Sequence, residues 1–498
     1  MNKKILLLAV PMVLGLSSCN LDINDNPNYP SSSNTTSNLL FPAVENAIAD
    51  CVGDQMFTYG GFFAQYFEQR PEQNQYNDLA ELNIDESTSI FDRCYSLLYA
   101  GAMEDIAEIK SRTDITAADN FAATVMRVQA YQLMVDNTSD APYTEALQGS
   151  SVPSPKWDDG ATVYRGVLDE LDAAEASISG TASMTLNDPI FGGDLSKWEQ
   201  YANALRLRMY LRLIDGGVDA ATYTAKVQAI VAENNLPTED VTYSVYSNAE
   251  DQYNPWYGAT YKLKTNNFCA SYPIVSYMNS TNDPRISYGM LPNTKESKYL
   301  GQIPGAKTQY KGWGEKTWLN ENVSTIDLTP SIAMPVYLFT VAEIDFLKAE
   351  VELRFNNNAS AAKADYEAGV RADFTSRGVS GADTFLANPS VNIDSKQTTE
   401  DKLKLIYMQK WVALFYRDHM EAWSEARRTD IPAQSSLSAK DVYDGKPYVA
   451  GDFIAPAINY RGNGGLCKRM PYPSTARKYN TNTPAVKAIT DRVFWDVK

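Results

Sequence analysis

Apolar residues recur at helical spacing along most of this chain. Between residues 340 and 356, for example, Ile344, Leu347 and Val351 fall on one face of a helix. The same periodicity predicts helices over 40–69, 87–111, 119–136, 161–178, 194–215, 220–234, 340–356, 359–378 and 400–429. The first range is interpreted as two helices around Gly60-Gly61. The pattern therefore predicts a mainly α fold.

Two long stretches interrupt the helical pattern. Between about 237 and 338, Pro, Gly, Asn and Tyr crowd together and the periodicity is lost, and residues 430–484 are similar. The first stretch is either a β-rich insertion or a set of ordered loops, and long irregular segments inside compact proteins tend to carry function. Successive helix pairs of roughly 35–45 residues indicate a solenoid-like scaffold that carries these loops.

The N-terminus has the pattern of an exported lipoprotein. Lys3 and Lys4 precede an apolar run of 12 residues from Ile5 to Leu16, too short to span a bilayer. The run ends in Leu-Ser-Ser before Cys19, the order of a bacterial lipobox. The pattern predicts a signal peptide over residues 1–18, lipidation of Cys19 and a flexible tether over 19–38. The alternative is an ordinary secretory signal followed by a chance cysteine.

Charge narrows the range of partners. Removing residues 1–18 lowers Lys plus Arg from 44 to 42 against 61 Asp plus Glu, so the net charge goes from -17 to -19. An acidic surface repels phosphate backbones, which argues against a nucleic-acid partner. No later stretch reaches the roughly 18 apolar residues of a membrane-spanning helix, so a lipid on Cys19 is the predicted link to the membrane.

The residues offer little catalytic chemistry. His419 is the one histidine in the chain, so a Ser-His-Asp or Cys-His device would have to use it, and a structural role is favoured. Cys51, Cys94, Cys269 and Cys467 have spacings that match no zinc or disulfide framework, although Cys51 and Cys94 lie on neighbouring predicted helices and could pair. No cofactor or metal is predicted. Paired carboxylates remain possible among 61 acidic residues, so a glycosidase is not excluded.

Aromatic clusters in the irregular segments are candidates for ligand binding. Tyr and Trp combine a flat apolar face with a polar group, which suits the C–H surfaces and hydroxyls of sugars. The candidate ligand-binding residues are Trp256, Tyr257, Trp313, Trp318 and Tyr76. The alternative for each is that it simply packs a loop.

The chain also resembles the SusD/RagB family of outer-membrane lipoproteins, and more closely its SusD-like branch. The similar segments follow family order, with Ser139 departing from a family glycine: Leu21–Asn28, Leu39–Ala43, Ala64–Tyr66, Asp140–Ala146, Trp198–Arg208, Ala342–Glu350, Gln409–Trp411, Glu421–Trp423, Arg427–Pro432 and Arg469–Pro473.

This resemblance implies a scaffold of tetratricopeptide-like helical hairpins with loop insertions. It implies that residues 39–498 form one nutrient-binding domain with a loop-rich insertion at about 237–338. It also implies a partner, a SusC-like TonB-dependent transporter, to which the lipoprotein delivers an oligosaccharide or a peptide. The expected protein is not an enzyme. The competing hypotheses are a surface glycosidase or peptidase, and a scaffold that contacts only the transporter.

Three arginines lie within the apolar helix predicted over 194–215. Arg206, Arg208 and Arg212 need carboxylate partners if they are buried there. The candidate partners are Glu343, Glu350 and Glu421. We interpret these groups as ion pairs of the scaffold rather than as ligand contacts.

Overall fold

Helices dominate the protein, and the mainly α prediction is confirmed. The computed structural model describes residues 35–179, 183–307, 313, 320–462 and 465–498. In the N-terminal half the α-helices are α1 Ser37–Asp50, α2 Met56–Phe63, α3 Asn77–Ala80, α4 Asp92–Ser96, α5 Glu104–Ser111, α6 Ala117–Thr138, α7 Gly160–Ala176, α8 Leu195–Asp215 and α9 Ala220–Glu233. They are followed by α10 Pro255–Lys262, α11 Tyr272–Thr281, α12 Val341–Arg354, α13 Ala359–Ser376, α14 Ala382–Leu386, α15 Thr399–Leu414, α16 His419–Thr429, α17 Ala439–Tyr443 and α18 Ser474–Tyr479.

Side chains define where the long helices begin. Asp194 caps α8 by accepting hydrogen bonds from the backbone N–H groups of Ser196 and Lys197. Thr116 and Asp119 form a reciprocal capping box at the start of α6. Consecutive helices then pack as hairpins, α6 with α7, α8 with α9 and α12 with α13. These hairpins form the predicted scaffold.

The first helical segment differs from its prediction. A π-helical turn, Cys51–Gln55, joins α1 to α2, so the chain stays helical from Ser37 to Phe63. Gly60 and Gly61 lie inside α2. A Cβ atom on Gly60 would stand 2.6 Å from the carbonyl oxygen of His419, so this glycine permits α2 to touch the start of α16. A second π-helical turn, Leu97–Met103, joins α4 to α5.

The irregular stretch at 237–338 holds both short strands and helices. The strands of the protein are β1 Phe67–Gln69, β2 Asp140–Pro142, β3 Trp157–Asp159, β4 Val241–Tyr243, β5 Phe268–Ala270, β6 Met290–Leu291, β7 Thr325–Ile326 and β8 Val336–Phe339. One antiparallel sheet has the order β1-β5-β7-β6, and β2-β3 and β4-β8 form two-stranded pairs. Helices α10 and α11 fall in the same stretch, where the sequence pattern predicts no helix. The stretch is therefore ordered and mixed in structure.

A buried group of charged side chains links α8, α12, α15 and α16, and we call it the charged core. Its members are Arg208, Arg212, Glu343, Lys410, Glu421 and Glu425. Arg208 donates to both carboxylate oxygens of Glu343, from Nε to Oε1 at 3.0 Å and from Nη2 to Oε2 at 2.7 Å. Arg212 binds Glu421 and also Asp136, each at 2.6 Å. These pairs confirm the scaffold interpretation for Arg208 and Arg212.

The remaining predicted partner, Glu350, and the remaining arginine, Arg206, form ion pairs elsewhere. Glu350 binds Arg428 and Arg354 at 2.6 Å each, rather than an arginine of α8. Arg206 faces α7, where it binds Asp172 at 2.9 Å and Glu175 at 2.7 Å. The prediction that Glu350 serves the α8 arginines is therefore wrong, because α12 presents Glu350 to α16 instead. The pairs of Glu350 with Arg428 and of Arg206 with Asp172 and Glu175 join different helices of the scaffold, whereas Glu350 and Arg354 pair within α12.

Candidate ligand-binding cleft

Two cavities open side by side on the outer face of the first helical segment. The Tyr76 cavity has a volume of about 470 Å³ and is lined by Asp54, Gln55, Thr58, Gln75, Tyr76 and Ile90, among others. The Tyr253 cavity has a volume of about 530 Å³ and is lined by Asp50, Asp54, Arg93, Glu250, Tyr253 and Tyr261, among others. Asp54 lines both, so the two cavities adjoin at this residue, and we call the pair the cleft.

Tyr76 is held in place from both ends. Its backbone N–H donates to Oε1 of Gln69 at 2.5 Å, and its ring stacks on Phe268 with the centroids 5.0 Å apart and the planes 19° apart. Burial, with a smaller effect of Asp54, raises the pKa of Tyr76 to about 12. The phenol is therefore neutral at physiological pH, and it presents a hydroxyl group that can both donate and accept a hydrogen bond.

The floor of the Tyr76 cavity comes from the junction of the π-helical turn with α2. Asp54 and Thr58 are four residues apart and so lie on the same face of the helix. Gln55 accepts a weak hydrogen bond from the Cys94 thiol at 3.3 Å, which fixes its amide. Carboxylate, amide and hydroxyl groups thus stand beside the Tyr76 ring, the combination that sugars require.

Arg93 lines the Tyr253 cavity beside Asp50 and Asp54. Its guanidinium donates one hydrogen bond to Asp50 and one to Asp54, which are one helical turn apart. Partial burial raises the pKa of both carboxyl groups, and the charge of Arg93 opposes that shift. The Arg93 side chain is 46% exposed, whereas that of Asp54 is 18% exposed.

Three tyrosines pack together beside the Tyr253 cavity, and two of them, Tyr253 and Tyr261, line it. Tyr257 and Tyr261 lie one turn apart on α10 with their rings stacked at 6.1 Å, and Tyr253 packs edge-on against them at 5.1 and 5.3 Å. The position of α10 is set by Asn254, which caps the helix and donates from Nδ2 to the carbonyl oxygen of Met334 at 2.9 Å. Tyr257 is among the predicted candidates and Tyr253 and Tyr261 are not, although the four-residue spacing of the three tyrosines is visible in the sequence.

Trp256 lies on the opposite side of α10, inside the protein. Its ring is stacked on Phe67 at 5.9 Å and contacts Phe57 and Phe268 at 5.0 and 5.1 Å. With 1% exposure it has no free face for a ligand. The stacking role expected for Trp256 therefore does not fit its position.

Trp313 does not line either cavity of the cleft. Trp313 packs against Tyr443 at 5.1 Å and belongs to a small apolar cluster around Ile303 and Ile454. Trp318 and Cys19 lie outside the residues that the structure describes. Of the candidate residues, Tyr76 thus lines the cleft and Tyr257 packs against two of the tyrosines that do.

His419 occupies a buried site between helices. Its Nε2 accepts from the backbone N–H of Tyr416, and its ring stacks on Phe57 with a centroid distance of 3.7 Å. Burial lowers the pKa of His419 to about 3, so the imidazole is neutral at physiological pH. These contacts make His419 a packing residue.

Cysteine and metal chemistry are equally limited across the described chain. Cys51, Cys94, Cys269 and Cys467 are buried free thiols. Cys51 donates to the carbonyl oxygen of Cys94 at 3.7 Å, so the two cysteines do lie on neighbouring helical segments. No group of three or more His, Cys, Asp or Glu side chains within the described ranges could hold a metal ion. In the same ranges, no helix is long and apolar enough to cross a membrane.

The hairpins and the cleft together define a helical scaffold with an open aromatic and polar groove. The chain belongs to the SusD-like family described as "Starch-binding associating with outer membrane", whose model matches residues 27–447. No curated protein matches the chain by sequence.

Solved structures share the fold. A SusD-like protein from Bacteroides thetaiotaomicron is 22% identical with a TM-score of 0.72, over 93% of this chain and 99% of that one. A SusD homologue from Bacteroides uniformis is 22% identical with a TM-score of 0.69, over 92% and 99%. A chitin-binding SusD homologue from Flavobacterium johnsoniae is 21% identical with a TM-score of 0.68, over 93% and 98%.

Proposed function

We propose that this protein is a surface lipoprotein that binds an oligosaccharide in the cleft and delivers it to a SusC-like TonB-dependent transporter. The observation that carries the proposal is the Tyr76 cavity, where a fixed aromatic ring stands beside carboxylate, amide and hydroxyl groups. The family description names starch, and a relative of the same fold is named for chitin binding. These names support a glycan as the ligand.

A glycan fits the cleft better than a peptide strand does. A bound peptide strand would need a free sheet edge for its backbone hydrogen bonds. The residues that line the Tyr76 cavity instead come from helices and loops and offer side-chain groups. Side-chain hydroxyls, amides and carboxylates match the many hydroxyls of a sugar. The cleft therefore supports oligosaccharide capture without a chemical step.

Calorimetry with malto- and chito-oligosaccharides tests the proposal. We expect Tyr76→Ala to weaken the affinity for the bound glycan about tenfold, which corresponds to about 1.4 kcal/mol, because the variant loses the ring and its hydroxyl group. Tyr479→Ala is the matched control, since Tyr479 is 69% exposed on α18 and does not line the cleft. Unchanged affinity in Tyr76→Ala, or the appearance of shorter sugars during incubation, would contradict the proposal.

The membrane anchor is tested separately. A lipid on Cys19 holds the protein to the membrane because acyl chains contribute about 0.8 kcal/mol for each buried methylene. We expect Cys19→Ala to move the protein from the membrane fraction to the soluble fraction while its glycan affinity stays unchanged. Mass spectrometry of the mature N-terminus should show an acylated Cys19, and an unmodified residue there would refute the anchor.

A further inference from the structure

The Tyr253 cavity is a built space rather than a shallow surface dent. Its volume of about 530 Å³ exceeds the 470 Å³ of the Tyr76 cavity. Each value lies within the range of about 300–1,000 Å³ found for ligand pockets. Asp54 lines both spaces, so the two cavities adjoin at this residue.

The wall of this cavity offers an aromatic surface of its own. Tyr253 and Tyr261 line it, and both rings are braced by Tyr257 behind them. Nζ of Lys264 lies 4.2 Å from the centre of the Tyr261 ring, so one face of that ring is already covered. Tyr253 is therefore the ring best placed to contact the apolar face of a sugar.

The charges around the cavity favour some sugars over others. Asp50, Asp54, Glu250 and Asp251 line it, against the cations Arg93, Lys262 and Lys264. Arg93 is already bound by two of the carboxylates. An anionic sugar would meet uncompensated negative charge here, whereas the hydroxyl or ammonium groups of neutral and amino sugars can donate to the carboxylates.

We propose that the Tyr253 cavity is a second subsite for the same glycan chain. The ligand is accordingly an uncharged or amino-substituted oligosaccharide long enough to fill both cavities, with Asp54 contacting it at the junction. This inference rests on the proposed function, because it takes the Tyr76 cavity as the first subsite.

A length series separates one subsite from two. The probes are malto-oligosaccharides from maltose to maltoheptaose and chito-oligosaccharides from chitobiose to chitohexaose, measured by calorimetry. We expect Tyr253→Ala to weaken binding of the longest bound probe five- to tenfold and that of its dimer less than twofold. Tyr76→Ala should weaken both lengths alike. Thermal unfolding of Tyr253→Ala should match that of the wild type, because Tyr253 lies in the exposed wall of the cleft.

The outcomes distinguish this inference from the proposed function. Equal effects of Tyr253→Ala on dimer and long probe, or no effect on either, would overturn the second subsite while Tyr76-dependent binding still supports the first. Failure of the wild type to bind any neutral or amino-substituted glycan would overturn both.

Oligogalacturonate of matched length tests the charge selection. We expect the wild type to bind it at least tenfold more weakly than the best neutral probe. Asp50→Asn should narrow that difference because it removes one carboxylate of the cavity. Binding of oligogalacturonate as tight as that of the neutral probe would overturn the assignment to uncharged or amino-substituted chains.

Discussion

The charged core and the cleft use the same residue types in opposite ways. In the charged core, the side chains of Arg212 and its partners Asp136 and Glu421 are at most 2% exposed, and these groups form ion pairs with one another. In the cleft, Arg93 also holds two carboxylates, yet its side chain is 46% exposed. The comparison teaches that buried ion pairs fix the relative positions of helices, whereas pairs at the surface keep hydrogen-bonding capacity for a ligand.

Breaking the charged core should have the largest effect. Arg212→Ala leaves Asp136 and Glu421 buried without their shared partner, and we expect the free energy of unfolding to fall by about 5 kcal/mol. Urea denaturation measures this loss. Arg206→Ala on the same helix is the control, because its partners Asp172 and Glu175 remain 44% and 39% exposed, and about 1 kcal/mol is expected. Equal losses of unfolding free energy in the two variants would contradict the claim that buried ion pairs stabilise the fold more than exposed ones.

Substitution of Trp256 tests whether this face of α10 stabilises the fold or contributes to the cleft. We expect Trp256→Ala to lower the free energy of unfolding by about 4 kcal/mol, since it leaves a cavity among Phe57, Phe67 and Phe268. Tyr257→Ala, one residue on, should cost about 1 kcal/mol because its ring is half-buried at the surface. If Trp256→Ala instead left the stability unchanged and weakened glycan binding, Trp256 would have to be assigned to the ligand-binding site.

Glu45 and Asp50 show the same contrast between a buried and a surface carboxyl group on one helix, α1. Glu45 lies on α1 five residues before the cleft residue Asp50, but it is fully buried beside Asp188. Burial, strengthened by Asp188, raises the pKa of Glu45 to about 11, so the folded protein keeps this proton where the unfolded chain loses it. The contribution of Glu45 to stability is therefore complete below pH 4.5 and declines as the pH rises toward 11.

A pH series measures that contribution. Between pH 6 and 9 we expect Glu45→Gln to remove a decline of about 1.4 kcal/mol per pH unit from the unfolding free energy. Asp50→Asn is the control, because its more exposed carboxyl group is also bound to Arg93. Parallel curves for wild type and Glu45→Gln would show that Glu45 is ionised in the folded protein.

Trp313 should give the smallest effect. Because it packs on Tyr443 outside the described cleft, we expect Trp313→Ala to change glycan affinity less than twofold and stability by about 1 kcal/mol. Calorimetry compares the glycan affinity of Trp313→Ala with that of Tyr76→Ala. A loss of affinity as large as that in Tyr76→Ala would extend the binding site to Trp313.

The scaffold follows from the sequence because its helices are long and periodic. Helix α8, Leu195–Asp215, matches the helix expected over 194–215, and Arg208 binds the expected partner Glu343. The single helix expected over 400–429 is divided, since α15 ends at Leu414 and Asp418 caps a new helix. Short helices such as α10 escape detection because one or two turns give too few repeats of the apolar pattern.

The cleft is harder to predict because burial there depends on distant segments. Trp256 and Tyr257 are neighbours with similar side chains, and local sequence does not decide which of them turns inward. That choice is made by Phe57 and Phe67, almost 200 residues earlier in the chain. Aromatic composition thus indicates a segment that lines the cleft but does not decide which of its rings face the cleft.

The π-helical turn Cys51–Gln55 makes the groove adjustable over evolutionary time. A π-turn accommodates one extra residue, and each residue added to or removed from a helix rotates the remainder of that helix by roughly 100°. Asp54 and Gln55 sit in this turn, between the buried faces of α1 and α2. A single-residue deletion there would re-aim the groove-lining side chains relative to Asp50, so relatives could acquire new sugar preferences through short insertions and deletions at this point.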